Sequence, residues 1–561
     1  MDITFGTDGW RAVLDKDFTG VNVERVTLAI GKYIADNFGF CKPILIGYDP
    51  RNKADEFSAL CAELLKGKGF NVLYSSRVVP TPILAYNALI QNACAIMFTA
   101  SHNPPEYLGM KFIPDYAGPA TSDITDEIVK NIDIEFPGSD SSGTMHKIDF
   151  GAKYNKHIEE LIDFDTIRKL KTNIVFDGLY SASIGYFDEL LNQHRIKFST
   201  LHMYHDNEFG GGMPDPKPRF LKELIETVKK MPNAIGLAND GDADRFGVIN
   251  ENGEYVSPNE IIAILLKHLK ERGIDGSVVK TVGSSLLIDR VAAKLGINVI
   301  ETAVGFKHVG EAMRKNKVII GGEESGGLSI QGHIPEKDGL LANLLVLETM
   351  ASTEKSLVEL QEDLYKLAGC KFYTDRIDLK LDSQEEIRPI LERVKLLQNI
   401  GGYKVTSIDT KDGVKLMLGN TTKILVRPSG TEPLLRIYFE TDSQKSLEDL
   451  KEKLPMVIAV IVAIVICVTG LYFFENYKSI YYTQIDNTKI EKVSSSDNMK
   501  YEYTLDCYNE NGKKRELKFK TSRELKEDAF LKLEVKTFGV HSWEEVQYNE
   551  LPEKVQANYT K

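Results

Sequence analysis

The sequence predicts an α/β fold of repeated units, followed by one apolar span and a small β-rich tail. Three observations predict it. Short apolar runs alternate with amphipathic stretches through a long N-terminal body. Met456 to Phe474 reads MVIAVIVAIVICVTGLYFF, 19 residues without a charge. Beyond it, Tyr501 to Tyr508 alternates in polarity and is followed by Asn511-Gly512, a hairpin turn signal.

A chain of 561 residues predicts roughly three to five domains. With 42% apolar and 27% charged residues, the bulk can form ordinary globular cores. The net charge of −12 excludes a general nucleic-acid binder, which needs a basic face to neutralise phosphates. It leaves room for a local cationic pocket for a small phosphate ester. No C-x-x-C pair occurs among Cys41, Cys61, Cys94, Cys370, Cys467 and Cys507, so zinc and thioredoxin-type readings have no support. The first four are expected to be small buried apolar residues, and Cys507 a free thiol, because it is alone in the tail.

In the body, Pro43 to Gly47, Ala93 to Phe98, Asn173 to Phe176, Ala234 to Ala238 and Val318 to Ile320 read as strands. Glu56 to Lys66 and Leu221 to Lys230 read as helices between them. Each apolar run ends in a loop of Gly, Asp, Ser or Asn, and ligands in such folds bind at strand ends. A helix of Met456 to Phe474 would be about 28 Å long, close to a hydrocarbon core of about 30 Å. It is read as a single membrane span, with Tyr472, Phe473 and Phe474 as interfacial aromatics. The N-terminus lacks a basic and apolar leader, so the body is expected in the cytoplasm and Glu475 to Lys561 outside it. The lysines flanking the span are balanced and give no vote on orientation. In the tail, Tyr501 to Tyr508 and Glu516 to Lys520 form a hairpin, and Phe530 to Val535 a third strand.

Five motifs carry chemistry. Thr99 to Phe112, TASHNPPEYLGMKF, follows an apolar strand and places Ser101 in an exposed loop, with His102 and Lys111 able to move protons near it. A hydrolase elbow is excluded, since Thr99 and Asn103 replace its glycines. Asp240, Asp242 and Asp244, in DGDADR, offer three carboxylates to one hard cation. A calcium EF-hand is disfavoured, because Arg245 replaces its sixth-position glycine and a strand precedes the loop. Gly321 to Gly327, GGEESGG, makes room for a ligand and offers Glu323 and Ser325 to hydroxyls. Arg427 to Pro433, RPSGTEP, combines a guanidinium with the donors of Ser429, Gly430 and Thr431, as a phosphate clamp requires, and lacks the Walker ending. Phe5 to Arg11, FGTDGWR, brings Arg11 within reach of a phosphate on the nucleophile.

Together, in this order, these motifs resemble the α-D-phosphohexomutase superfamily from Met1 to about Leu454. The resemblance implies a four-domain architecture around a central cleft, with domains at 1–155, 156–255, 256–370 and 371–454, the first three being related α/β units. It implies interconversion of hexose 1-phosphate and hexose 6-phosphate through a phosphoserine at Ser101 and a bisphosphorylated sugar, with hexose 1,6-bisphosphate as activator. Asp240, Asp242, Asp244 and the serine phosphate would hold one Mg²⁺. Lys111 and His102 would act as general acid and base, and Arg245 would steady the transferring group. Glu323 and Ser325 would hold sugar hydroxyls, while Arg427, Ser429, Gly430 and Thr431 would grip the other phosphate. Lys307 and His308 resemble the sugar-specificity loop. Glucosamine-type members carry Gln and His where this chain has Glu324 and Gly327, which favours glucose or mannose. The alternative is a catalytically inactive, membrane-anchored sugar-phosphate sensor. The span and the tail at 475–561 resemble the YxeA-like small anchored proteins, on YYTQIDNTKI at Tyr481 to Ile490 and WEEV at Trp543 to Val546, so the chain reads as a fusion.

Overall fold

A computed structural model describes residues 3–6, 9–429, 433–454, 477–493 and 499–559. The chain forms two compact units, Met1–Lys380 with Leu397–Glu452, and Leu381–Leu396 with Lys453–Lys561.

The first unit contains four principal sheets. The first is built from β1 (Trp10–Val13), β2 (Ile44–Tyr48), β3 (Val72–Ser75), β4 (Cys94–Phe98), β5 (Tyr107–Ile113) and β6 (Met145–Ile148), in the order β1-β5-β4-β2-β3-β6. Strands β4, β2, β3 and β6 run parallel, and β5 turns back antiparallel to β4. The second is built from β7 (Asn173–Asp177), β8 (Phe198–Leu201), β9 (Ala234–Asn239), β10 (Phe246–Ile249) and β11 (Tyr255–Val256), in the order β11-β10-β9-β7-β8. The third is built from β12 (Ser277–Thr281), β13 (Val299–Thr302), β14 (Val318–Gly322) and β15 (Leu328–Ile330), in the order β13-β12-β14-β15.

One topology recurs in all three. A buried strand pairs parallel to its neighbour, then a loop reverses the chain into an antiparallel partner: β4 into β5, β9 into β10, and β14 into β15. The loops at these reversals are 99–106, 240–245 and 323–327. They hold the serine, aspartate and Gly-rich motifs respectively. Strands β4, β9 and β14 are buried along their whole length, as strands covered on both faces must be, which explains their continuous apolar sequence.

The three sheets share one apolar core, which runs from Leu45 and Leu84 through Phe176 and Leu237 to Ile320 and Leu347. The helix Gly339–Thr353 lies inside it, buried through Met350 and capped at its N-terminus by Asp338, whose side chain accepts from the Leu341 amide. The fourth sheet is antiparallel throughout: β16 (Tyr373–Lys380), β19 (Ser407–Asp409), β20 (Val414–Met417), β21 (Lys423–Pro428) and β22 (Leu434–Thr441), in the order β16-β22-β21-β20-β19. The intervening β17 (Asn399–Ile400) and β18 (Tyr403–Lys404) form a separate pair.

The second unit includes the helix Ile387–Val394 and a six-stranded antiparallel sheet, β23 (Ser479–Gln484) to β28 (Gly539–Val546). Between them lie β24 (Ile490–Lys492), β25 (Tyr501–Asn509), β26 (Lys514–Thr521) and β27 (Phe530–Lys536). The expected hairpin is β25 with β26, and Gly512 sits at a positive φ of 78° in its turn. Tyr503, Leu505 and Cys507 alternate inward from β25 and meet Leu517, Phe519, Leu531 and Leu533. Strand β28 escaped the sequence reading because its GVHSWEEV is exposed along most of its length and carries no apolar alternation.

The predicted span at 456–474, and with it Cys467, lies outside the described residues. Among the described residues no helix is long and apolar enough to cross a membrane. The cysteine expectation needs correcting: Cys61 and Cys94 are buried, but Cys41 is exposed and Cys370 half-buried. Neither lies on a buried strand face. Cys507 is a free thiol, buried in the tail core, and burial pushes its pKa up to about 12.

Candidate active site

The loop after β4 brings Ser101 to the loop after β9. Ser101 Oγ donates to Asp240 Oδ2 at 2.8 Å and lies 3.3 Å from His102 Nδ1. Ser101 is not in an exposed loop, as its sequence context suggested; it is 1% exposed, because the aspartate loop packs against it. A Cβ at Gly241 would stand 2.5 Å from Ser101 O, so the approach requires glycine. Ser101 itself adopts a left-handed φ of 53°.

Asp240, Asp242 and Asp244 are all fully buried, and each offers a carboxylate oxygen within 4.8 Å of the others. A solvated acidic turn is thereby excluded. Lys111, on β5, donates to Asp242 Oδ2 at 2.7 Å and Asp244 Oδ2 at 2.8 Å. Thr81 Oγ1 donates to Asp242 Oδ2 at 2.6 Å, and Lys337 Nζ lies 3.2 Å from Asp244 Oδ2. Arg245 Nε stands 3.9 Å from Asp244 and 4.0 Å from Asp240. Three buried carboxylates thus face three cations. Burial, followed by the charges of Asp244 and Asp242, drives the Asp240 carboxyl well above the usual range. Burial disfavours the Arg245 charge, but Asp244 and Asp240 outweigh it and hold its pKa above the ordinary value.

The residues fit a hard divalent cation. The donors are all carboxylate oxygens, and Asp244 Oδ1 is buried without a hydrogen-bond partner among the described residues.

His102 stands next to this cluster. The Arg245 charge, then burial, then Arg11 and Lys217 drive its pKa well below the ordinary value, so the ring is neutral at pH 7. It has no imidazolium proton to donate, and the positive charge around it weakens it as a base. Arg11 Nη1 donates to Asn103 Oδ1 at 2.8 Å, which brings the N-terminal motif to the serine loop.

The third reversal loop places Glu323, buried, with Ser325 Oγ donating to its Oε1. Burial raises the Glu323 pKa, against the nearby charge of Lys337. Glu324 accepts from Thr281 Oγ1 at 2.7 Å. A Cβ at Gly327 would meet Lys337 Cδ at 2.4 Å, so the Lys337 stem fills the room that this glycine leaves.

On the fourth sheet, Arg427 Nε donates to Asp412 Oδ2 at 2.8 Å, and the same oxygen accepts from the Val304 amide at 2.9 Å. One carboxylate therefore ties Arg427 to the segment just before the helix Phe306–Lys315, whose first turn carries Lys307 and His308, so these two stand on a helix and not on the expected loop. Lys307 Nζ donates to Ser122 Oγ at 3.0 Å, and burial, then the Lys307 charge, lower the His308 pKa. Ser429 Oγ is buried and has no hydrogen-bond partner among the described residues, as a site awaiting an anion would leave it. Gly430 and Thr431 lie outside the described residues. Sequence reasoning missed Thr81, Lys337 and Asp412, which stand in no motif of their own.

Family models match the chain in four consecutive pieces: Phosphoglucomutase/phosphomannomutase, alpha/beta/alpha domain I at residues 2–137, domain II at 152–253, domain III at 257–368, and the C-terminal domain at 380–454. Residues 476–549 match a family described as Protein of unknown function (DUF1093). The chain is 31% identical over 453 residues to a probable phosphoglucosamine mutase of Methanopyrus kandleri, covering 80% of this chain and 96% of that protein. It is 28% identical over 456 residues to a phosphoglucomutase/phosphomannomutase of Thermococcus kodakarensis, covering 81% and 97%. Among solved structures, a putative phosphomannomutase from Thermus thermophilus aligns with a TM-score of 0.73 at 29% identity, over 82% of this chain and 99% of that one.

Proposed function

The chain belongs to the phosphoglucomutase/phosphomannomutase family of intramolecular phosphotransferases, and from that premise we propose that Ser101 carries the phosphoryl group exchanged between the C1 and C6 oxygens of glucose or mannose phosphates. The observation that carries the reading is the 2.8 Å contact of Ser101 Oγ with Asp240, inside a buried carboxylate cluster balanced by lysines.

Phosphoryl transfer demands little covalent work from a protein; it demands alignment and neutralisation of spread negative charge. Asp240, Asp242, Asp244 and the phosphate on Ser101 would hold one Mg²⁺, which supplies charge neutralisation at the transferring group. Arg245 and Lys337 add positive charge from the protein side. The sugar hydroxyl attacks phosphorus, the bond to Ser101 Oγ breaks, and the hydroxyl proton passes to a nearby base. Lys111, hydrogen-bonded to Asp242 and Asp244 as an ammonium, would serve as the proton donor to the departing oxygen, and His102, 3.3 Å from Ser101 Oγ, would take the hydroxyl proton once the negative charge of the serine phosphate stands beside it. The sugar bisphosphate then turns over and returns its other phosphoryl group to Ser101. Arg427 and Ser429 would hold whichever phosphate is not reacting, and Glu323 and Ser325 the hydroxyls between. A hexose 1,6-bisphosphate would prime Ser101 when its phosphate is lost.

The preference for glucose or mannose is supported by Gly327 and Glu324. Lys337 occupies the room beside Gly327, and Thr281 engages Glu324. The test is intact mass of the purified chain, with assays against glucose, mannose and glucosamine phosphates. One phosphate on the wild type, lost on incubation with a sugar phosphate and missing from Ser101→Ala, is the expected result. Normal turnover by Ser101→Ala would sink the reading.

A further inference from the structure

The serine loop has no helix or ladder of its own between Thr99 and Glu106, yet it must hold a serine in the left-handed region with its hydroxyl on Asp240. Its backbone carbonyls lead to one side chain outside all five motifs. Arg51 Nη2 donates to Ser101 O at 2.6 Å and Asn103 O at 2.7 Å. Arg51 Nη1 donates to Pro104 O at 2.8 Å and Tyr107 O at 3.1 Å. One guanidinium thus collects three carbonyls of the loop and that of Tyr107, the first residue of β5.

Resting on the mutase reading, we infer that Arg51, held by Asp49, is the positioning residue that sets the geometry of the phosphoserine loop.

The strand register places it there. Strands β2 and β4 run parallel, with Tyr48 opposite Phe98, so the residues after each strand emerge side by side. The Asp49 amide donates to Phe98 O at 3.0 Å. Asp49 Oδ1 accepts from the Arg51 amide at 3.1 Å, and its Oδ2 lies 3.3 Å from Arg51 Nε. The same Oδ2 accepts from Thr99 Oγ1 at 2.6 Å, and Thr99 Oγ1 accepts from the Ser101 amide at 2.8 Å. The loop is therefore gripped twice at the serine, at its carbonyl by Arg51 and at its amide through Thr99 and Asp49. The Phe209 ring covers the guanidinium, 4.9 Å from its central carbon. Arg51 is 3% exposed and Asp49 1%.

Arginine is required by the geometry. Four carbonyls spread from Ser101 to Tyr107 need the planar fork, whereas an ammonium is a compact point charge with three donors. Arg51 does not reach Ser101 Oγ by any of these bonds; its effect on the hydroxyl passes through the backbone. A loop held this way presents the serine phosphate in one position to both ends of the sugar, and small displacements at a reacting centre cost large factors in rate.

The experiment compares full-length wild type, Arg51→Lys, Thr99→Val and Thr99→Ser. Expected is a kcat at least tenfold lower for Arg51→Lys, with KM within about twofold. Amide exchange should rise at 101–107 and stay at wild-type levels across the strands of the first sheet. Thr99→Val should lose kcat, and Thr99→Ser, which keeps the hydroxyl, should restore it. Unchanged kcat in Arg51→Lys overturns the inference. So does a loss accompanied by raised exchange throughout the first sheet, or a Thr99→Ser as impaired as Thr99→Val. A wild type with neither phosphate on Ser101 nor turnover overturns the mutase reading itself, and is distinguished from failure of the inference by that measurement.

Discussion

Lys111 Nζ bridges Asp242 and Asp244, donating to one carboxylate at 2.7 Å and the other at 2.8 Å, with all three side chains buried. The lysine comes from the strand after the serine loop and the aspartates from the loop after β9. Two of the repeated units are therefore joined by charge at the place where the chemistry is expected.

Replacing Lys111 by Met leaves those buried carboxylates short of one cation. Removing one partner of a buried ion pair costs about 3–5 kcal/mol. Lys111→Met should unfold at lower urea than wild type without Mg²⁺, and Mg²⁺ should recover part of the difference. Identical urea midpoints in the metal-free proteins would contradict the bridge.

Asp240→Asn removes one hard anionic ligand and replaces the charged acceptor of the Ser101 hydroxyl by a neutral amide. The Mg²⁺ concentration giving half-maximal rate should rise at least tenfold, about 1.4 kcal/mol of lost binding. The fold should persist, since burial penalises this carboxylate when charged. Rate measurements across a Mg²⁺ titration decide it, and an unshifted midpoint would remove Asp240 from the metal site.

His202 gives a pH signature. Its Nδ1 lies 2.9 Å from Asp177 and its Nε2 3.1 Å from Glu223. The Asp177 hydrogen bond, opposed by burial and aided by both carboxylate charges, raises its pKa. A raised pKa means that the folded state binds the proton more tightly than the unfolded chain. The resulting stability is fully present below about pH 6.5 and is lost as pH rises through the higher folded value. His202→Gln should therefore cost more stability at pH 6 than at pH 9, read as urea midpoints against wild type at each pH. An equal cost at both would refute the assignment.

In the tail, the Tyr503 hydroxyl donates to Asn487 Oδ1 at 2.8 Å and accepts from the Leu525 amide at 2.8 Å. Tyr503→Phe leaves the buried Leu525 amide without its acceptor, at a cost of about 1–3 kcal/mol. Thermal unfolding followed by β-sheet circular dichroism of the tail should show the loss. A variant as stable as wild type would mean that the hydroxyl is dispensable.

By itself the sequence determined what local pattern can encode. Continuous apolar runs named β4, β9 and β14, because strands buried on both faces have no polar side to show. Asn511-Gly512 named the tail hairpin, because its turn demands a positive φ. Contiguous motifs named Ser101 and the three aspartates, since chemistry on one loop needs neighbouring residues. Only the tertiary structure decided that Ser101 is buried, that His102 is neutral, and that Lys337 and Arg51 belong to the site. Those properties are sums over groups remote in sequence: the field at His102 comes from Arg245, Arg11 and Lys217, and the serine loop is fixed from the end of a neighbouring strand. Arg51 is one of 69 basic residues in the chain, and what distinguishes it is four carbonyl oxygens that parallel strand pairing brings to its guanidinium.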